Sequence, residues 1–459
     1  MLSDLNIRFH FLLRRCQENH LLGFVFTERS TPCEYNFYKK ECLSLNCIYN
    51  LFVILHYSVS LFYTINQFFC LNLPLIGGIQ LKHEKPILIL TAHFGEGHVQ
   101  TAITLAETFK RQGHLVYICD LYGEAYPAIH SLAQSLLKKG HSKLGTPFYK
   151  AFYYGTDKLS SKGLSYFYQH LGKKRLLKLV ETYSPSFIIT TFPLHAAPYL
   201  RLRSSFNIPT YTVITDYCAH PLWIHPMIEK YYVASDHVKR TLLSFGVEKS
   251  KIVVSGLPVR TGFRYTKEKH YASFGLSKTR KTVTLMGGGL GLIPNVEPIL
   301  ATLSKDPRIQ AAVVCGRNEQ LYSYLKKTIK SPNVHIFGYV SRIEKLYSLT
   351  DCLVTKSGAL SLTEAASFKL PTIIFKPAPG QENENANYFL RQGAALSYVT
   401  QDDFLQNLYR CLYDKNTRDS LSGKVYSVYK EHACTSIVQD ILRHDYKSSI
   451  DKLQRGREG

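Results

Sequence analysis

Between residues 86 and 377 the chain repeatedly places a short, continuous apolar run before a segment of helical periodicity. The runs are PILILTA, HLVYICD, SFIITTF, PTYTVITD, KYYVAS and KIVVSG in the first half, then TVTLMGG, QAAVVCG, NVHIFG, DCLVTKSG and PTIIFKP in the second half. Continuous runs are typical of strands buried on both faces, and strands that alternate with helices form parallel sheets. The sequence therefore predicts an α/β protein with two successive doubly wound, Rossmann-like units.

The spacing of these runs divides the chain of 459 residues into four segments. We expect an atypical extension at 1–84, an N-terminal unit at 85–262, a C-terminal unit at 263–435 and a tail at 436–459. The connector between the two units lies near 257–281. Because ligands bind beyond the carboxyl ends of strands in such folds, the residues after each run are the candidate site residues.

The N-terminal extension is uncharged over a long stretch, with no Asp, Glu, Lys or Arg from Cys42 through Leu81. This stretch is long enough to cross a bilayer, although His56, Asn66 and Gln67 interrupt it. A single membrane span and a poorly ordered extension both remain open. A cleavable signal peptide matches poorly, because the apolar part begins too late.

Charge and cysteine usage limit the partners. The formal net charge of +22 favours nucleic acid, anionic lipid or phosphorylated small molecules. The 11 cysteines form no CxxC pair, which argues against a zinc site or a disulfide framework and favours a reducing cytoplasm.

The turn in GEGHVQTAITLAETF joins the first predicted strand to a predicted helix. Gly95 and Gly97 come just before the helix, whose free N–H groups favour anions. Asp120 ends the next strand, where a ribose-binding acid of a dinucleotide site would stand. Gln100, however, replaces the third glycine of that fingerprint, which weakens the dinucleotide interpretation.

His98 lies in the first turn of this helix, whose predicted buried face comprises Ala102, Leu105, Ala106 and Phe109. A neutral imidazole at a helix N-terminus suits a general base. The alternative is a histidine that only packs or caps. Asp216, after another strand of the same unit, is a rival base.

Polar residues also follow strands of the second unit. Gly287, Gly288 and Gly289 form a turn without side chains, where backbone N–H groups can approach a pyrophosphate, or an ordinary tight turn. Arg260 could reach a phosphate from between the units. Glu364 could accept hydrogen bonds from two sugar hydroxyls, and Gln381 and Glu382 follow a Pro-Gly turn as groups that read a hexose would.

Residues 125–175 combine basic with aromatic side chains. The candidate contact residues are Lys138, Lys139, Lys143, Phe148, Tyr149 and Lys150. Such a surface fits an interfacial contact with anionic lipid, since aromatics sit at headgroup level and lysines bind the charge. Stacking on single-stranded nucleic acid is the alternative, but no nucleic-acid motif accompanies the segment, and an ordinary basic surface remains open.

The order of motifs FGEGH, TDYCAHPLWIH, GLPVR, GGG, CGRN, TKSGALSLTEA and PGQENEN resembles that of the bacterial processive diacylglycerol glucosyltransferases. It is also similar to the plant monogalactosyldiacylglycerol synthases and, more distantly, to the MurG enzymes. The resemblance covers roughly residues 85–435 and leaves 1–84 unmatched. It implies a GT-B fold, in which two Rossmann-like domains face each other across a crevice.

The activity implied by the resemblance is inverting transfer of a hexose, glucose first, from a UDP-hexose to diacylglycerol. It implies a peripheral enzyme at the cytoplasmic face of the cell membrane, with no metal or other cofactor and no nucleic acid as partner. The product would be a glycolipid of the kind that anchors lipoteichoic acid, with a second sugar added in processive members. Glucose or galactose as donor sugar, the number of sugars and the oligomeric state stay open.

The resemblance also assigns roles. Glu364 would hold the ribose, while Gln381 and Glu382 would hold the hexose hydroxyls. Gly287–Gly289 and Arg260 would face the diphosphate, with Ser357 and Gly358 lining the same pocket. His98 would be the catalytic base or a lipid-positioning group.

On the acceptor side, the turn formed by Gly95, Glu96 and Gly97 departs from the family pattern, which is closer to GNGH. Glu96 would either hold the tautomer of His98 or point to solvent. Three other functions compete with the leading one: a MurG-like transfer to a lipid-linked cell-wall precursor, a GT-B epimerase, and a UDP-sugar-binding sensor without turnover. A nucleic-acid-binding protein is a more distant alternative.

Overall fold

The computed structural model describes residues 27–28, 31–32, 85–93, 96–125, 170–203, 207–265 and 269–455. The chain divides into two compact units, Met1–Lys82 and His83–Gly459. In the first unit, β1 (Thr27–Glu28) pairs antiparallel with β2 (Thr31–Pro32). The stretch considered as a membrane span lies outside the described residues. Within the described ranges, no helix combines the length and apolar character that a bilayer crossing requires.

The second unit begins with an N-terminal lobe built on a six-stranded parallel sheet. Its strands are β3 (Ile87–Thr91), β4 (Val116–Asp120), β5 (Ile188–Thr190), β6 (Thr210–Val213), β7 (Lys230–Val233) and β8 (Ile252–Val254). Its described helices are α1 (Glu96–Arg111), α2 (Leu121–Ala125), α3 (Lys173–Tyr183), α4 (Ala196–Arg203) and α5 (Asp236–Ser244). The strand order is β4-β3-β5-β6-β7-β8, so the order reverses between β3 and β5.

A C-terminal lobe follows, on a second six-stranded parallel sheet. Its strands are β9 (Lys281–Met286), β10 (Ile309–Val314), β11 (Val334–Phe337), β12 (Cys352–Thr355), β13 (Thr372–Ile374) and β14 (Leu396–Ser397). Its helices are α6 (Val296–Leu303), α7 (Glu319–Thr328), α8 (Ile343–Tyr347), α9 (Ala359–Ser367), α10 (Gln381–Arg391), α11 (Gln401–Tyr413) and α12 (Lys415–Val428). The order is β11-β10-β9-β12-β13-β14, with its reversal between β9 and β12.

The prediction of two doubly wound units is confirmed, and each apolar run contains a strand. Strands in the interior of the sheets, such as β3, β6, β10 and β12, are buried at every residue, as continuous apolar runs require. Strands at the edges, such as β4 and β11, include partly exposed residues. The short strand β14 was not predicted, because two residues carry too little pattern.

The predicted apolar face of α1 is buried in the core of the N-terminal lobe, where Leu105 and Phe109 pack beneath the sheet. The same core contains Ile437 and Ile441 of α13 (Ala433–Arg455). The expectation of a tail at 436–459 is therefore corrected through Arg455. This segment is a helix that returns to the N-terminal lobe, because its apolar residues repeat at helical spacing.

The two lobes are in direct contact. One apolar cluster combines Tyr217 and Leu257 with Leu362 and Phe389 of the C-terminal lobe. The chain passes between the lobes twice, once after β8 and once between α12 and α13. The carboxyl ends of both sheets contribute residues to the contacts that close the crevice between the lobes.

Candidate functional site

His98 is buried in the first turn of α1 and makes two hydrogen-bond contacts through Nδ1. The carbonyl oxygen of Thr191 lies 2.9 Å from Nδ1, and the hydroxyl of Thr215 lies 2.7 Å from it. Since a carbonyl oxygen only accepts, Nδ1 carries the proton and Nε2 holds the lone pair. Burial lowers the pKa of His98, against the opposing effects of the Asp216 carboxylate and the Thr191 carbonyl. The arrangement is a neutral imidazole with a basic Nε2.

Asp216 follows β6 and is buried between the lobes. Its two carboxylate oxygens accept hydrogen bonds from two amides of α10: one from Nε2 of Gln381, the other from Nδ2 of Asn385 at 2.9 Å. Asp216, proposed above as a rival base, thus links the two lobes and uses both oxygens to do so. Gln381, predicted to read a hexose, is engaged by the opposite lobe.

Tyr217, next to Asp216, also links the two lobes, and together their contacts form a junction between the lobes. Its backbone N–H donates to Oδ1 of Asn385 at 2.9 Å, and its hydroxyl lies 2.9 Å from Oγ1 of Thr363. Its ring stacks on Tyr388 at a centroid distance of 4.8 Å. Burial raises the pKa of Tyr217 beyond its usual range, so its hydroxyl stays protonated. This junction holds α9 and α10 against the carboxyl end of β6.

Buried Glu364 forms an ion pair with the partly exposed Arg260 in the C-terminal half of the crevice. Nη2 of Arg260 lies 3.1 Å from Oε1 of Glu364, and Nε lies 3.3 Å from the same oxygen. The guanidinium also stacks on Phe263 at 4.7 Å. Burial raises the pKa of Glu364 to about 7, although Arg260 opposes the shift. One carboxylate oxygen, Oε1, accepts both of these hydrogen bonds.

The glycine turn after β9 is tightly folded on its own backbone. Gly288 has φ of +69°, in the region that favours glycine, and a β-carbon on Gly287 would lie 2.3 Å from the backbone of Leu292. The carbonyl of Gly289 accepts from the backbone N–H of Arg317, in the loop after β10. These contacts already require glycines, whether or not the turn also binds a phosphate.

Lys356 lies against the glycine turn and brings a positive charge to it. It follows β12, and a β-carbon on Gly288 would lie 2.9 Å from its Cε. Its Nζ donates to Oε1 of Glu382 at 2.8 Å, while Oγ of Ser357 donates to the backbone carbonyl of Glu382 at 2.7 Å. Helix α9 then begins after Gly358, whose position provides no side-chain cap for the first N–H groups.

Glu96 takes neither of the positions considered from the sequence. Its carboxylate pairs with Nη1 of Arg317, across the crevice, so it neither fixes the tautomer of His98 nor points freely to solvent. Its neighbour Gly97 faces Leu360 of α9, with a β-carbon there at 4.0 Å from that of Leu360. The first turn of α1 therefore lies against the C-terminal lobe, one residue from His98.

Sequence reasoning missed several residues of this arrangement: Thr191, Thr215, Arg317, Lys356 and Asn385. Four of them stand within three residues of the end of a strand, where the alternation of elements already pointed. Arg317 and Lys356 lie inside motifs noted above, CGRN and TKSG. Gly95 and the candidate membrane residues Lys138, Lys139, Lys143, Phe148, Tyr149 and Lys150 lie outside the described residues.

Two family models match the lobes. The one described as monogalactosyldiacylglycerol (MGDG) synthase matches residues 98–259, and the glycosyltransferase family 28 C-terminal domain matches 282–424. Several solved structures share the fold. Acinetobacter baumannii MurG has a TM-score of 0.52 and 16% identity, with 78% of this chain and 99% of that chain covered. A glycotransferase of kitacinnamycin has a TM-score of 0.54 and 13% identity, with 79% and 99% of the two chains covered, and a UDP-N-acetylglucosamine 2-epimerase has a TM-score of 0.51 and 12% identity, with 79% and 96% covered. They establish the GT-B fold and do not distinguish transferase from epimerase.

Sequence relatives are more specific. The processive diacylglycerol beta-glucosyltransferase of Bacillus cytotoxicus is 38% identical over 371 residues, which cover 80% of this chain and 95% of that protein. The protein of the same name from Bacillus cereus strain ATCC 14579 is 38% identical over the same share of each chain. At this identity and coverage, the chain belongs to the family of processive diacylglycerol beta-glucosyltransferases.

Proposed function

We propose that this protein synthesises a glycolipid by transferring a hexose, most readily glucose, from a UDP-hexose to diacylglycerol. The name shared by its relatives supports the reaction. The observation that carries the proposal is the position of His98. A neutral histidine with a basic Nε2 lies one residue from Gly97, which faces the start of α9 in the lobe predicted to bind the donor.

The proposed role of His98 is that of general base. Its Nε2 takes the proton of the acceptor hydroxyl while the hydroxyl oxygen attacks the anomeric carbon of the donor. The bond from that carbon to the diphosphate oxygen breaks, and its electron pair leaves with UDP. Attack opposite the leaving group inverts the anomeric centre. Asp216 is less suited to this role because both of its oxygens already accept from amides.

Stabilisation of the departing diphosphate falls to the C-terminal lobe. Lys356 supplies positive charge beside the glycine turn, and the uncapped N-terminus of α9 supplies free N–H groups. Arg260, paired with Glu364 of α9, supplies a second positive charge. In this proposal Lys356 exchanges Glu382 for the diphosphate, and Glu364 accepts from the ribose hydroxyls. No metal is required, so we expect transfer to continue in the presence of a chelator.

The acceptor is a lipid, so the reaction takes place at a membrane surface. We propose peripheral association with the cytoplasmic face of the cell membrane, with the basic and aromatic segment 125–175 as the contact. Its composition and the net charge of +22 support binding to anionic lipid. A second transfer to the first product would give the processive behaviour that the relatives' name describes.

The test is direct. The purified full chain is mixed with vesicles of diacylglycerol and anionic phospholipid, and in separate reactions with UDP-glucose, UDP-galactose or UDP-N-acetylglucosamine. Lipids are then extracted and identified by mass spectrometry. Monoglucosyl-diacylglycerol, followed by its diglucosyl form, is expected with UDP-glucose. The absence of a glycolipid with every donor would overturn the proposal, and free epimerised UDP-sugar would favour the epimerase.

A further inference from the structure

Glu96 and Arg317 join the two lobes at the point where the acceptor side meets the donor side. Glu96 is the first residue of α1 in the N-terminal lobe, and Arg317 follows β10 in the C-terminal lobe. They are 221 residues apart in sequence, and their side chains form an ion pair. We propose that this pair, the lobe clasp, is a positioning device that sets His98 against the donor-side glycine turn.

Arg317 is itself fixed to the glycine turn. Its backbone N–H donates to the carbonyl of Gly289 at 2.9 Å, so a movement of the turn moves Arg317 with it. Its guanidinium lies over the ring of Tyr339 at 5.1 Å, which limits the rotamers available to the side chain. The charged end that Glu96 contacts is therefore held in place by the C-terminal lobe.

Steric contact supports the ion pair. A β-carbon on Gly289 would lie 2.6 Å from Cγ of Glu96, so the stem of Glu96 occupies the space above this glycine. Glu96 thus contacts the C-terminal lobe in two ways, by its carboxylate and by its methylene group. Two residues further along the same helical turn lies His98, whose Nε2 must meet the acceptor hydroxyl next to the donor.

The clasp is not a major source of folding stability. The side chain of Arg317 is 55% exposed and that of Glu96 is 25% exposed, and exposed pairs contribute little to the free energy of folding. The junction around Tyr217 and Asp216 already binds the lobes. The contribution of the clasp is geometric: it holds the first turn of α1 in register with the glycine turn. Small misplacements of reacting groups are costly in rate.

The inference rests on the proposed function, and a charge-exchange experiment separates the two. The full chain is prepared as wild type, Glu96→Arg, Arg317→Glu and the exchanged double variant. Each single reversal is expected to lower kcat for glycolipid formation by roughly 30-fold or more, with KM for UDP-glucose within about threefold of wild type. The double variant is expected to recover at least about tenfold of that loss.

A matched control is Arg308→Glu, which reverses an exposed arginine paired with Asp306 within the C-terminal lobe. It is expected to leave kcat within about twofold, as surface charges outside the crevice do. Additive losses in the double variant, with no recovery, would overturn the clasp. So would losses that appear only in melting temperature or in KM.

A second readout does not depend on turnover. Amide hydrogen exchange of the same variants is expected to be faster in the first turn of α1 for each single reversal and to return to the wild-type rate in the exchanged pair. Equal exchange rates in all four proteins, together with unchanged kcat, would contradict the inference. If wild type makes no glycolipid, the proposed function fails, and the exchange data alone then decide whether the clasp positions the first turn of α1.

Discussion

The Nδ1 atom of His98 lies 2.9 Å from the carbonyl oxygen of Thr191, which places the imidazole proton on Nδ1 and the lone pair on Nε2. Thr191 reinforces this orientation, because its hydroxyl donates to the backbone carbonyl of His98 at 3.0 Å. Helix α1 and the end of β5 are thus joined in both directions. The ring is further packed by Phe192, at a centroid distance of 5.0 Å. His98 is pre-oriented before any substrate binds.

The first prediction is that His98→Gln removes turnover and spares donor binding. Loss of a general base costs roughly 10²–10⁴-fold in kcat, while the proposed donor site lies in the other lobe. We expect the Kd for UDP, measured by calorimetry, to stay within about threefold. His432→Gln, at an exposed histidine between α12 and α13, is the control. A His98→Gln enzyme with more than about a tenth of wild-type kcat would contradict this role.

The pH dependence of the reaction provides the second prediction. Burial lowers the pKa of His98, and the Asp216 carboxylate raises it. With the neutral imidazole as the proposed base, kcat/KM is expected to fall as pH drops through a pKa below the usual 6.5. Asp216→Asn removes the negative charge, so the acid limb should move to lower pH.

Profiles of kcat/KM against pH for wild type and Asp216→Asn check the direction in which the acid limb moves. Asp419→Asn, at an exposed carboxylate of α12, should leave the limb in place. An acid limb that stays fixed or moves to higher pH in Asp216→Asn would show that this carboxylate does not act on the titrating base.

A third prediction concerns Lys356. Its ammonium donates to Glu382 in the structure and lies beside the glycine turn. A charge-assisted hydrogen bond to the diphosphate is worth roughly a factor of 10–100 in binding. Lys356→Met is therefore expected to raise both the Kd for UDP and the KM for UDP-glucose by about that factor, whereas the exposed Lys305→Met should not. Unchanged UDP binding in Lys356→Met would assign the lysine to Glu382 alone.

Sequence patterns predicted the local structure, and they missed the contacts between residues that are far apart in the chain. Continuous apolar runs identified the strands, and the spacing of Leu105 and Phe109 identified the buried face of α1, because both depend on near neighbours. Partners across the crevice lie far apart in sequence: Gln381 is 165 residues from Asp216, and Arg260 is 104 residues from Glu364. Sequence patterns assigned a ligand to Arg260, Glu364 and Gln381, and the role of a rival base to Asp216. The structure gives each of them a protein partner.

Stability should vary with pH through Glu364, which is the fourth prediction. Burial raises its pKa from 4.5 to about 7, so the folded protein binds more protons than the unfolded chain between those values. Protonation of Glu364 therefore contributes roughly 3 kcal/mol to the free energy of unfolding. This contribution is fully present below the unfolded pKa and is lost as pH rises through about 7. Compared with Glu364→Gln, wild type should lose a few degrees of melting temperature from about pH 5 to about pH 8. Parallel melting curves for the two proteins would contradict the shift.

The last prediction concerns the return of α13 to the N-terminal lobe. Ile441 is fully buried in the core beneath the first sheet, whereas Ile450 on the same helix is 36% exposed. Ile441→Ala opens a cavity and is expected to lower the free energy of unfolding by about 2–5 kcal/mol. Ile450→Ala, which makes the same chemical change, is expected to cost under about 1 kcal/mol. Urea unfolding followed by circular dichroism compares the two. Equal losses of unfolding free energy in the two variants would show that the packing of α13 in this core does not stabilise the protein. Contacts at the crevice alone would then hold the lobes together.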